Sequence, residues 1–143
     1  MTSKNVETLR AAHESWNKRE FASVVRNCAN NLVYTDQAQS RTLNGQEKFR
    51  EWVESWAKAF SDARITKPEY IDAGDVIVAR FTVEGINDGS FGSLKPTRQR
   101  ISLPFCEIAH FDKQGRVVSG SCYYDQYTLL TQLGHLQPLM AAA

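Results

Sequence analysis

No run of this sequence approaches the ~18 apolar residues that a membrane span needs. Its first residues, Met1 to Glu7, hold no apolar core of the kind a secretory signal carries. Cysteine is scarce. Cys28, Cys106 and Cys122 are odd in number and far apart, with no C-x-x-C pair and no His/Cys cluster at zinc-site spacing. They read as buried free thiols in a reducing, cytoplasmic setting. An excess of one charge is missing too. Seventeen Lys and Arg against sixteen Asp and Glu leave +1, which gives no electrostatic ground for binding nucleic acid or a membrane surface. Lys95, Arg98 and Arg100 read as a solvated loop and strand edge. There is no G-x-G-x-x-G, no internal repeat and no low-complexity segment.

What the chain does contain is a moderate apolar share, 42% over 143 residues. That suits one domain, residues 1–143, with a core of its own. Residues 4–18 predict a helix, because Val6, Leu9, His13 and Trp16 recur at helical spacing. On that stripe His13 reads as a core histidine or as a catalyst, and Trp16 as core or cavity lining. A short helix over 20–28 follows, with Phe21, Val24, Val25 and Cys28 inward, and Asn30-Asn31 end it. Asn44-Gly-Gln-Glu47 has the form of a capping box. It opens a helix over 45–60 whose stripe is Phe49, Trp52, Val53, Trp56 and Phe60.

Elsewhere the period is two. Leu32-Val-Tyr-Thr-Asp36 is a short strand with Leu32, Tyr34 and Asp36 on one face. An acid and a phenol on an apolar face point to a cavity wall, or Asp36 simply begins the loop and caps its own backbone. Gln37–Asn44 reads as polar loop. Residues 65–71 form a strand that Pro68 confines to an edge or a bulge. Residues 76–84 and 97–111 form two long strands. On the first, Ile77, Ala79, Phe81 and Val83 share a face; on the second, Ile101, Leu103, Phe105, Glu107, Ala109 and Phe111 do, with a bulge expected at Pro104. Glu107 among apolar neighbours needs a base such as Arg80, or stays protonated. The loop Asn87–Ser93 is either a plain connection or a cover for a cavity mouth. Residues 116–124 form the last strand, with Val117, Ser119, Ser121, Tyr123 and Asp125 on one side, before a short helix ended by Gly134. Asp125 stands where a helix cap belongs and where a strand-end carboxylate could work as a base.

The order of elements is helix, helix, strand, helix, antiparallel meander, terminal helical turn. It predicts an α+β cone: three N-terminal helices packed on a strongly curved antiparallel sheet around an apolar cavity. Expected cavity-lining and substrate-binding residues are Trp16, Tyr34, Trp52, Trp56, Phe105 and Tyr123.

Over residues 5–138 the chain resembles the NTF2-like superfamily, and its tail resembles the SnoaL-like polyketide cyclases. The residues that carry this are Asn44-Gly45, Phe111-Asp-Lys-Gln-Gly-Arg-Val-Val118 and Asp125-x-x-x-Leu-Leu-x-Gln-Leu-Gly134. The resemblance implies a cofactor-independent acid–base enzyme without metal, acting on a small hydrophobic carbonyl compound such as a polyketide by proton removal and aldol closure or isomerisation. Asp125 matches the aspartate base and His110 the assisting histidine. By likeness to the ketosteroid isomerases, Asp36 and Glu107 take the places of a base and a protonated acid. The catalytic tyrosine of those isomerases has no counterpart; Ala12 stands near its place. Gly120-Ser121-Cys122 stands where many relatives carry an aromatic pair. The resemblance also implies a homodimer. The other reading of the same residues is a non-catalytic module that binds a hydrophobic ligand or dimerises.

Overall fold

The computed structural model describes residues 2–140. Its helices are α1 (Lys4–Asn17), α2 (Phe21–Val24), α3 (Gln46–Ala59) and α4 (Gln126–Leu133). Its strands are β1 (Cys28–Asp36), β2 (Arg41–Asn44), β3 (Arg64–Asp72), β4 (Val76–Ile86), β5 (Arg100–Phe111) and β6 (Val117–Tyr123). The strands form one curved sheet in the order β2-β1-β6-β5-β4-β3, and the expected α+β cone is what the chain adopts. One pairing departs from an all-antiparallel sheet: β1 and β6 run parallel. No helix among the described residues is long and apolar enough to cross a membrane.

Helix placement follows the apolar stripes. The α1 stripe buries Val6, Leu9, His13 and Trp16, and Ser3 caps the helix by accepting from the Val6 amide at 3.2 Å. The α3 stripe buries Phe49, Trp52, Val53, Trp56 and Ala59 against the concave face of the sheet. That face presents Ile77, Ala79, Phe81 and Val83 from β4 and Ile101, Leu103, Phe105 and Ala109 from β5, all buried, with the parity read from the sequence. Burying one large aromatic or aliphatic side chain contributes about 1.5–3 kcal/mol, so this inner layer dominates stability.

Several boundaries differ from expectation. The second helix is one turn long, and Asn30 and Asn31 lie inside β1 rather than ending a helix. The stretch taken for loop before Asn44 contains β2. The capping box does not form: Gly45, at φ 96°, is the cap residue of α3 and no side chain caps it. Only glycine adopts that backbone at low cost. Pro68 does lie on an edge strand, with a register shift between Thr66 and Glu69. Pro104 marks no bulge, because β4 and β5 pair without interruption from Val76–His110 to Ile86–Arg100. Pairing of β5 with β6 starts only at Cys106, so on that side Pro104 faces no strand that would need its missing N–H.

The register shift between His110 and Phe111 decides which way the last strand faces. Val117 is buried, but beyond the shift the inward residues are Gly120, Cys122 and Tyr124. Ser119, Ser121 and Tyr123 turn to the outer face with His110 and Cys106, their cross-strand neighbours.

The loop after β4 is pinned to the end of α3. Asn87 is buried, donates to the Ala59 and Gly89 carbonyls at 3.1 and 2.9 Å, and accepts from the Thr97 amide at 2.8 Å. Gly89 is required there: a Cβ would stand 2.0 Å from the Lys58 carbonyl oxygen. Phe91 lies 5.1 Å from Trp56, ring centroid to centroid, so this loop closes the α3 end of the core.

Candidate functional site

Two adjoining lobes open between the helices and the concave sheet face, with cavity volumes of about 80 and 60 Å³. Both are bounded by Ala12, His13, Val24, Tyr34, Phe49 and Glu107, and the larger adds Trp16, Trp52, Trp56, Phe81, Phe105 and Cys122. Of the six side chains expected to line a cavity, Trp16, Tyr34, Trp52, Trp56 and Phe105 do so. Tyr123 does not, because the register shift turns it outward, where it is 44% exposed.

The polar centre of the cavity is Glu107. It lies on the inward parity of β5, and His13 and Tyr34 reach it from α1 and β1. His13 Nε2 donates to Oε1 at 2.8 Å, and the Tyr34 hydroxyl donates to Oε2. Because an ionised carboxylate only accepts, Nε2 carries the proton. In the neutral ring Nδ1 is then free to accept from the Tyr70 hydroxyl, 2.8 Å away. One chain of hydrogen bonds thus runs Tyr34–Glu107–His13–Tyr70 from the inner wall to edge strand β3.

Burial by itself would push the Glu107 carboxyl up. The hydrogen bond from His13, the charge of that ring whenever it is protonated and the bond from Tyr34 outweigh it and hold the carboxyl below its ordinary value. Of the alternatives expected from the sequence, pairing with a base such as Arg80 or a protonated acid, the pairing occurs with His13 as the base, and the depressed carboxyl does not fit a protonated acid. Arg80 is one position off the inward parity and pairs on the outer surface with Glu69 at 3.5 Å. Burial, with the neighbouring Glu107 charge, raises the Tyr34 phenol well above its usual range. Burial, then the charges of Asp36 and Glu107, raises the Cys122 thiol. Both are therefore neutral donors at physiological pH. Tyr70, pushed up to about 12 mainly by burial, is neutral as well.

Asp36 is fully buried beside the cavity, not on its wall. It accepts from Trp52 Nε1 at 3.1 Å, from the Tyr124 hydroxyl at 2.9 Å and from the Gln39 amide at 3.1 Å. Tyr124 in turn stacks on Phe105 at 4.6 Å. Asp36 thereby fixes two side chains that shape the cavity, and Trp52 stands between it and the open space.

Asp125 and His110 lie elsewhere. Asp125 caps α4: it accepts from the Tyr127 amide at 3.2 Å and from the Thr128 hydroxyl. It borders a shallow outer groove with Arg80, Pro104, Cys106 and Tyr123. His110 is exposed on the outer face beside Ser119. Neither is brought to Glu107: His110 is on the outer parity of β5 by alternation, and Asp125 follows a last strand whose facing is set by the shift after His110. His13, read from the sequence as a core histidine or a catalyst, is buried and bound to the cavity carboxylate. Tyr70 was not singled out, and its spacing on a strand broken by Pro68 offered little signal.

No group of three or more His, Cys, Asp or Glu side chains able to hold a metal occurs among the described residues.

The fold recurs in solved structures. A candidate SnoaL-like polyketide cyclase from Jannaschia sp. CCS1 aligns over 96% of this chain and 99% of its own, with TM-score 0.85 and 16% identity. AclR, a candidate hydroxylase from Streptomyces galilaeus, aligns over 96% and 85%, with TM-score 0.82 and 21% identity. A protein with a ketosteroid isomerase-like fold from Catenulispora acidiphila DSM 44928 aligns over 94% and 95%, with TM-score 0.76 and 18% identity. At these identities the likeness establishes the fold and no activity. No curated protein matches the chain. The sequence itself matches a family over residues 6–133, from the first turn of α1 to the last residue of α4, and the chain belongs to the SnoaL-like polyketide cyclase family.

Proposed function

We propose that this protein is a cofactor-independent acid–base enzyme that binds a small hydrophobic carbonyl compound in the aromatic cavity, with Glu107 as the proton acceptor. The observation that carries this is the ionised Glu107 carboxylate on the cavity wall, held between His13 and Tyr34. Each of its oxygens has two lone pairs and gives one to the protein, so a lone pair stays available to a substrate. Glu107 takes a proton from the carbon beside the carbonyl, and the C–H electron pair moves into the enolate. The Cys122 thiol is the neutral donor on the wall able to face the developing oxyanion, while the Tyr34 hydroxyl gives its one proton to Glu107. Returning the proton to another carbon gives isomerisation. Attack of the enolate carbon on a second carbonyl gives aldol closure, the new alkoxide taking the proton back from Glu107. His13 keeps the carboxylate oriented, and Tyr70 keeps His13 in the tautomer that donates to it. General base catalysis of this kind is worth about 10²–10⁴-fold. In this reading Asp36 positions Trp52 and Tyr124, while Asp125 and His110 take no part in proton transfer.

The test is exchange of α-protons into D2O for a panel of cyclic ketones and 1,3-diketones, followed by NMR, with wild type and Glu107→Gln. Catalysed exchange that Glu107→Gln lowers at least 100-fold supports the reading. One observation favours the alternative, a ligand-binding module without turnover: the bonds from His13 and Tyr34 lower the basicity of Glu107. That reading takes over if ketones change the tryptophan fluorescence and wild type exchanges none of their protons.

A homodimer formed through the outer sheet face, where Val33 and Tyr123 are 43% and 44% exposed, is part of the proposal. Sedimentation of wild type and Tyr123→Lys tests it. Free Cys28, Cys106 and Cys122 accord with a cytoplasmic location, which fractionation of the host cell checks.

A further inference from the structure

Aromatic rings surround the larger lobe in an unbroken belt. Tyr34 and Trp52 lie 5.4 Å apart, Trp52 and Trp56 6.3 Å, Trp56 and Phe105 5.6 Å, Phe105 and Phe81 5.5 Å, and Phe81 and the His13 ring 4.9 Å. Glu107 completes the circle by accepting from both His13 and Tyr34. Neither lobe has a lysine or arginine in its wall. Arg10 stands outside, over the ring of Tyr70 at 5.1 Å. The cavity therefore combines π-faces, which are negative, with one ionised carboxylate.

That combination is poorly suited to an anion and leaves an enolate with no lysine or arginine to offset its charge. It suits a positive group. A cation within about 6 Å of an aromatic centroid gains attraction, most strongly where water is excluded, and the buried carboxylate adds a charge pair that is screened little. From the belt and its lone carboxylate we propose that the carbonyl compound taken by this cavity carries a tertiary or quaternary ammonium group close to the reacting carbon. The ammonium would then supply the charge that stabilises the enolate, which the wall lacks. The carbonyl part of this proposal rests on the acid–base reading above; the ammonium part rests on the belt alone.

The test uses two ketones of the same shape, acetonyltrimethylammonium and its neutral counterpart 4,4-dimethylpentan-2-one. Their binding to the wild-type protein is measured by calorimetry and by the fluorescence of Trp16, Trp52 and Trp56, all three of which line the lobe. The expected result is binding of the cation at least tenfold tighter than the neutral ketone, equivalent to about 1.4 kcal/mol. Equal or weaker binding of the cation, or no binding of either compound, overturns the proposal. In Glu107→Gln the preference should fall at least threefold, and a preference unchanged there also overturns it. Deuterium exchange at the methylene carbon of the cation is read in the same samples. A preference without exchange keeps the ammonium group and removes the acid–base reading; exchange without a preference does the reverse.

Discussion

Glu107 and His13 meet at 2.8 Å across 94 positions of sequence. The bond joins the centre of β5 to the inner stripe of α1, and it ties the charge of the cavity to the docking of the first helix.

The first prediction follows from that charge. The Glu107 carboxyl is depressed in the folded protein relative to an unfolded value of about 4.3. A depressed acid contributes stability that is present above the unfolded value and is lost as pH falls through the folded one. Urea unfolding of wild type should therefore show a loss of stability on acidification below about pH 4.3. In Glu107→Gln, stability should fall less steeply over the same window. Equal slopes would mean that the pair with His13 contributes nothing to the acid limb.

A second prediction concerns Gly120, which lies opposite Tyr34 across the β1–β6 pairing. A Cβ there would stand 2.8 Å from Cδ2 of the Tyr34 ring. Gly120→Ala should destabilise by about 1–3 kcal/mol through overpacking, read as a lower urea midpoint. It should also loosen the Tyr34 bond to Glu107. Gly120→Ala combined with Tyr34→Ala should recover part of the loss, because the clash is then gone.

Asp36 supports a third. Replacing it with alanine strands the indole N–H of Trp52 and the hydroxyl of Tyr124 in the core. Each stranded group costs about 1–3 kcal/mol, so Asp36→Ala should lower stability by roughly 2–6 kcal/mol. Asp36→Asn keeps an acceptor and should lose less. If both variants melt with wild type, the buried network is dispensable.

The cysteines give a fourth. Cys28 and Cys122 are buried and Cys106 is half-buried. Burial pushes the Cys28 thiol up to about 12 and raises Cys122 also, and the thiolate is the reactive form. An aromatic disulfide reagent at pH 8 should modify one thiol of the native protein quickly, and all three only in denaturant. Cys106→Ser should abolish the fast phase.

The sequence was most legible where one period ran without interruption. The α3 stripe and the inward sets of β4 and β5 needed only spacing, and Tyr34 with Asp36 followed from one strand's alternation. The cavity aromatics were within reach for the same reason. The site's pairing was not. Glu107 was visible as an acid on an apolar face, but its partner lies on α1, and helical spacing alone cannot distinguish a core histidine from one that meets a carboxylate. The last strand misled through a single-residue shift after His110, which reverses every side chain beyond it. Ser119, Ser121, Tyr123 and Asp125 do share a face, and it is the outer one. The capping box failed because Gly45 takes a left-handed backbone, which residue identities in a four-residue motif do not encode.

The parallel pairing of β1 with β6 has a consequence for how the protein is made. Tyr34 bonds alongside Gly120, and Asp36 alongside Cys122, so β1 and β2 join the rest of the sheet only through the last strand. A nascent chain that has reached Phe111 can already form the β3–β4–β5 meander, yet its first strand still has no central partner and its acid, Asp36, lacks Tyr124. Such long-range closure is slow relative to local pairing. Arrival of the last strand, not the appearance of the long helix, is then the point at which the cavity comes into being. Before that, the three tryptophans that will line it sit on helices beside an open half-sheet, the form in which a chaperone or protease would encounter them.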